Sequence, residues 1–114
     1  MTNFAHGREA EAAAAGYLKD RGYKILNQNW RTRYCEIDIV AVKHKTIHFV
    51  EVKYRKSAEQ GSGFDYITPN KLNQMRFAAE FWMTENDWNK EITLSAIELS
   101  GKDYKVDQFL ESLG

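Results

Sequence analysis

Two neighbouring segments constrain the fold more than anything else in the chain. Glu36–Val42 (EIDIVAV) and Thr46–Tyr54 (TIHFVEVKY) are both rich in β-branched or aromatic residues, and only Lys43, His44 and Lys45 separate them. Strand-like runs this close together read as an antiparallel hairpin. His-Lys is not a favoured tight-turn pair, but with His44-Lys45 as the loop Val42 faces Ile47, Val40 faces Phe49, Asp38 faces Glu51 and Glu36 faces Lys53. Residues opposed across an antiparallel ladder point to the same side. One face therefore carries Val40, Val42, Ile47 and Phe49 and then Asp38, Glu51, Glu36 and Lys53. The other carries Ile37, Ile39, Ala41, His48, Val50 and Val52. Apolar residues on both faces are the mark of strands covered on both sides.

The rest of the chain supplies the cover. Asn3 to Arg21 is alanine-rich and ends at Gly22, which predicts a first helix. Tyr23 to Gln28 reads as a short strand, and Asn29 to Tyr34 as a polar, basic loop. Arg55 to Tyr66, with Gly61, Ser62 and Gly63, is the longest irregular stretch. Thr68-Pro69 predicts a helix start, with Thr68 as N-cap and Pro69 at the first helical position. Leu72, Met75, Ala79 and Trp82 recur at helical spacing and give that helix a core face, and Phe77, Phe81 and Trp88 are read as core with them. Ile92–Leu99 and Tyr104–Phe109 read as two more strands joined at Ser100-Gly101. The order helix, three strands, helix, two strands predicts one mixed α/β layered domain over residues 1–114.

Composition narrows the class. At 114 residues, 43% apolar and 28% charged, the chain is large enough to bury a core and is not disordered by composition. Cys35 is the one cysteine, so no intramolecular disulfide forms, which fits a reducing compartment. No apolar run approaches the roughly 20 residues of a membrane span and no charged-then-apolar leader opens the chain, so a cytoplasmic protein without membrane contact is expected. Net charge is zero but unevenly spread: 13 Lys and Arg against 8 Asp and Glu up to Arg76, then 3 against 8 from Phe77 on. A basic front suits a polyanion, while overall neutrality argues against strong indiscriminate nucleic-acid binding.

The opposed carboxylates carry the chemistry. At about 5 Å and an effective dielectric near 20, Asp38 and Glu51 repel by roughly 3 kcal/mol before any desolvation. A cation, a shared proton or the ammonium of Lys53 relieves that cost. Hard divalent ions take oxygen ligands, and Mg²⁺ typically uses one or two carboxylates plus waters and substrate phosphates. Lys53 beside them would orient or deprotonate an attacking water, or neutralise charge developing on phosphorus. The arrangement suits metal-assisted phosphodiester hydrolysis. The plainer alternative is a solvated rim with Glu36–Lys53 as an ordinary cross-strand ion pair.

These same residues resemble a known family. Cys35-Glu36-Ile37-Asp38-Ile39-Val40 followed by Phe49-Val50-Glu51-Val52-Lys53-Tyr54-Arg55 is similar to the paired strands of the YraN-type uncharacterised protein family. That family is grouped with the PD-(D/E)xK nucleases and is similar in fold to archaeal Holliday-junction resolvases. Upstream the resemblance runs through Gly7, Glu11, Tyr17-Leu18, Gly22-Tyr23, Ile25-Leu26 and Asn29-Trp30-Arg31, and downstream it takes in Lys71 and the amphipathic helix. It covers about the first two-thirds of the chain. It implies a restriction-endonuclease-like three-layer α/β/α domain with a central mixed sheet. It also implies Asp38 and Glu51 as metal ligands, with the Val52 carbonyl completing the site, Lys53 as the catalytic lysine and Glu11 as a fourth catalytic candidate. Independently, Phe4, Gly7, Glu11, Ala14, Ala15 and Leu18 share one helical face, so Glu11 is either functional or a partly exposed helix glutamate. Glu36 is either a supporting partner of the site or an ion pair with Lys53. Cys35 and Ala10 stand where the family has glycine.

Arg31, Arg33, Arg55 and Lys56 sit on loops or strand ends near the proposed site, as phosphate-positioning residues would, and Trp30 and Tyr34 suit stacking on unpaired bases. The alternative is a solvated basic loop with Trp30 anchored in the core. No motif activates Cys35 with His6, His44 or His48 as a nucleophile, and the spacing does not suit structural zinc. The expectation is a Mg²⁺- or Mn²⁺-dependent endonuclease acting on branched or structured DNA. Resolvase-like enzymes act as dimers, so a homodimer goes with that reading. The rival is a non-catalytic nucleic-acid-binding or protein-interaction module on a nuclease fold, with the acidic C-terminal third as a docking face.

Overall fold

The computed structural model describes residues 4–56 and 64–113. Helix α1 (Phe4–Asp20) is followed by strands β1 (Lys24–Arg31), β2 (Glu36–Lys43) and β3 (Thr46–Arg55), helix α2 (Pro69–Glu85), and strands β4 (Ile92–Ser100) and β5 (Lys105–Leu110). Asn3, expected to open the first helix, and Gly61, Ser62 and Gly63 lie outside the described residues. The five strands form one open sheet in the order β1-β2-β3-β4-β5. Neighbours run antiparallel except β3 and β4, which are parallel and joined through α2.

The helices cover opposite faces. Ala14, Ala15 and Leu18 of α1 pack on Ile39, Ala41, Val50, Ile97 and Leu99. Met75, Ala78, Ala79 and Trp82 of α2 pack on Val40, Ile47, Phe49, Leu94 and Ala96. This is the expected α/β/α layering, and it explains why the central strands are apolar on both sides. Thr68 caps α2 as its sequence predicts, accepting a hydrogen bond from the Lys71 N–H at 3.1 Å, with Pro69 just inside.

The β2–β3 hairpin has the expected register, with Ile39 facing Val50, Val40 facing Phe49 and Val42 facing Ile47. Its two-residue loop, His44-Lys45, takes positive φ at both positions, 52° and 67°. That is the primed-turn geometry whose twist matches the strands, adopted here without glycine.

Three expectations need correction. β1 continues to Arg31 rather than ending at Gln28, because Trp30 and Arg31 pair with Ile37 and Glu36 and Trp30 packs on the α2-side core. The basic loop is thereby a short turn in which the Thr32 hydroxyl accepts from the N–H groups of Tyr34 and Cys35 at 3.0 and 3.1 Å. Ile37, placed by strict alternation on one face with Ile39, Ala41 and Val50, belongs instead to the α2-side core. Finally, Phe77 is 51% exposed, because the core stripe of α2 runs through Met75, Ala78, Ala79 and Trp82 and leaves Phe77 outside it.

Candidate active site

The site forms where the hairpin opens. The β2–β3 ladder stops at Ile39 and Val50. Beyond that point the Asp38 carboxylate takes over as partner of β3, and its Oδ2 accepts the Val52 backbone N–H at 2.8 Å. A side chain thus satisfies a strand donor that a sheet neighbour would otherwise meet. Asp38 and Glu51 line the same cleft of about 440 Å³, between the start of β2 and the first turns of α2, together with Glu36, Lys71, Tyr34 and Phe77. The two carboxylates that register arithmetic opposes thus line one cleft.

Glu11 joins them from the α1 layer. Half-buried on the helix face that holds Ala14, Ala15 and Leu18, it feels the Asp38 side chain electrostatically. Burial, then the charge of Glu51, pushes Asp38 from 3.8 up to about 7, with Glu11 and Glu36 adding to the rise and the Val52 N–H opposing it. Burial also raises Glu11, against the pull of Asp38 and Arg31.

The cations are less uniform than the sequence suggests. Lys53 is half-buried, with Nζ 5.5 Å from the Tyr66 ring centroid, and it pairs in register with Glu98 of β4. Glu36 takes its ion pair from Arg31, at 3.4 Å on an exposed rim, in place of the expected Lys53. Arg31 also donates to Asn29 at 2.8 Å. Arg55 is held at 2.7 Å by Glu98, which is 2% exposed. Arg33 and Lys56 are exposed, Arg33 lying 5.5 Å from the Tyr34 ring. Tyr34, beside the cleft, is 66% exposed, whereas Trp30 packs against Phe81. Val52 contributes its N–H to Asp38 and packs its side chain on the α1-side core. Among the described residues no three His, Cys, Asp or Glu side chains are close enough to form a ready ligand cage.

The family model for Uncharacterised protein family UPF0102 matches residues 10–107. The chain belongs to the UPF0102 family. A UPF0102 protein of Alkaliphilus oremlandii is 37% identical over 106 residues, covering 89% of this chain and 91% of the relative. One from Syntrophomonas wolfei is 38% identical, over 87% of each chain. One from Chlorobium chlorochromatii is 45% identical over 68% of this chain and 60% of its own length. The resemblance read from the hairpin motifs holds at family level, and the UPF0102 match runs further than those motifs, through β4 into β5.

Within this UPF0102 chain the two glycine departures are accommodated. Cys35 is absent from the residues with positive φ, so its backbone tolerates a side chain, and its Sγ lies 3.4 Å from the Thr32 hydroxyl. Ala10 is buried on α1 at 1% exposure. Three site neighbours escaped the sequence reading. Lys71, noted there merely as part of the resemblance, reaches from the first turn of α2 to within 3.0 Å of Glu51 Oε2. Glu98 carried the same signal as Asp38, a carboxylate inside a β-branched strand. Tyr66 carried none.

Proposed function

We propose that this UPF0102 protein is a divalent-metal-dependent endonuclease that hydrolyses DNA phosphodiester bonds, with branched or structured DNA as its substrate. The observation that carries the reading is the convergence of Asp38 and Glu51 on one cleft against their mutual repulsion, with Lys53 two residues beyond Glu51 on the same strand. The similarity of these strands to the PD-(D/E)xK pattern supports it. The donor set fits a hard divalent ion: one Asp38 oxygen remains beyond the Val52 bond, Glu51 lines the same cleft, and Mg²⁺ typically takes one or two carboxylates and completes its shell with waters and substrate phosphates. Asp38 and Glu51 would hold the ion, with the Val52 carbonyl as the third ligand that the resemblance implies. When bound, Mg²⁺ or Mn²⁺ supplies Lewis acidity at a phosphoryl oxygen and a lowered water pKa.

The chain's own residues do the rest. Lys53 stabilises negative charge developing at phosphorus. Glu11, its pKa raised by burial on the α1 side of Asp38, accepts or returns a proton there. Arg33 and Lys56, both exposed, contact backbone phosphates and set register without reading sequence. A homodimer would present two such sites to a two-fold symmetric junction.

One observation favours a non-catalytic nucleic-acid-binding module instead. Lys71 beside Glu51 provides a fixed counter-charge that needs no metal. A panel of single-stranded, duplex, flap and four-way-junction DNA with Mg²⁺ or Mn²⁺, scored for binding and cleavage, separates the two. Cleavage of a structured substrate is expected, with Lys53→Ala lowering its rate by about 10²–10³ while binding persists. Arg33→Ala should weaken binding and reduce its salt dependence by about one unit of slope. Binding without cleavage across the panel, indifferent to Lys53→Ala, identifies the binding module; neither binding nor cleavage rejects both readings and points to a protein partner.

A further inference from the structure

Just before α2, Tyr66 lies over the end of β3 with one polar atom that has no partner among the described residues. Tyr66 sets its ring 5.5 Å from Lys53 Nζ and 6.0 Å from the Arg55 guanidinium carbon, with the Phe64 ring 6.1 Å away. Its hydroxyl is buried and, among the described residues, has no hydrogen-bond partner. Folded proteins keep few such groups, because a buried O–H stripped of water and left unbonded is destabilising.

The surroundings say what is missing. Lys53 follows Glu51 by two residues and so shares its side of β3, which sets the ring over Lys53 at the Glu51 end of the site. Burial raises the phenol pKa, and the charges of Glu51, Glu98 and Asp38 push the same way against Arg55. Those carboxylates are already engaged: Glu51 by Lys71, Glu98 by Arg55 and Asp38 by the Val52 N–H. The hydroxyl thus lies at the Lys53 end of the site and, among the described residues, is offered nothing to bond. We propose that the Tyr66 hydroxyl is a further member of the divalent-cation site, hydrogen-bonding an oxygen of the hydration shell of an ion held at Asp38 and Glu51. The same ring, through its face toward Lys53, positions the ammonium. This inference rests on the metal-dependent reading above.

Tyr66→Phe tests it, because the ring and both cation contacts are kept and one oxygen is removed. The full chain is melted in EDTA and again in millimolar Mg²⁺ or Mn²⁺, beside the parent and Asp38→Asn. Without divalent ions Tyr66→Phe should melt higher than the parent, since an unbonded buried hydroxyl is gone. With them it should gain less than the parent, since ion binding stabilises by mass action and one of its contacts is lost. A variant that melts at or below the parent temperature in EDTA overturns the inference, because the hydroxyl then has a permanent partner such as an ordered water. So does a variant that keeps the whole divalent gain while Asp38→Asn loses it, which would leave the cation site standing without Tyr66. A parent that gains nothing from either ion removes the metal-dependent reading and this inference together.

Discussion

Asp38→Asn should make the metal-free protein more stable at pH 8. The Asp38 carboxyl, normally at 3.8, is raised to about 7 by burial and by Glu51. Between those values the folded state holds a proton that the unfolded chain has released. Stability is therefore fully present below about pH 4 and falls as pH rises toward 7, levelling off above it. A tenfold change in proton affinity is worth about 1.36 kcal/mol, so the rise from 3.8 to about 7 corresponds to about 4 kcal/mol. Asp38 retains some solvent contact, which reduces this to about 2–4 kcal/mol. Asparagine keeps an oxygen for the Val52 N–H at the same position and carries no charge. Urea unfolding in EDTA from pH 4 to 8 measures the difference between variant and parent. The two curves should coincide near pH 4 and separate by about 2–4 kcal/mol by pH 8, with the variant above. A variant less stable than the parent at pH 8, with an unchanged pH slope, would refute the reasoning and make Asp38 a contented strand cap.

Three further outcomes test the frame around the site. Arg55→Ala strands Glu98, which is 2% exposed, and should lower stability by about 3–5 kcal/mol in denaturant unfolding, with Arg55→Met plus Glu98→Gln recovering most of it. Lys45→Gly relieves a side chain at φ 67° in the hairpin loop and should raise stability by about 1 kcal/mol. Thr68→Ala removes the cap on the Lys71 N–H, should cost about 1 kcal/mol by the same assay, and should loosen the α2 turn that carries Lys71 to Glu51.

What the sequence made legible is what local pattern determines. The β2–β3 register followed from two period-2 runs and a gap of three residues, and the cap of α2 from Thr68-Pro69. The convergence of Asp38 and Glu51 followed from that register. The less legible features depend on partners distant in the chain. Trp30 and Arg31 sit in a polar stretch, yet they form strand because β2 is there to pair with them. Ile37 breaks alternation near the point where the ladder to β3 ends. Glu98 reaches Arg55 across the parallel β3–β4 pair, a neighbour created by the α2 crossover. Phe77 looked like core by type, but its angular position on α2 puts it outside the buried stripe.

The most direct test of the site is a crystal of this protein grown or soaked with Mn²⁺ and measured for anomalous scattering. The expected result is a single peak in the cleft about 2.1 Å from one oxygen each of Asp38 and Glu51, lost in crystals of Asp38→Asn. A cleft without a peak at millimolar Mn²⁺, with Glu51 still held by Lys71, would contradict it.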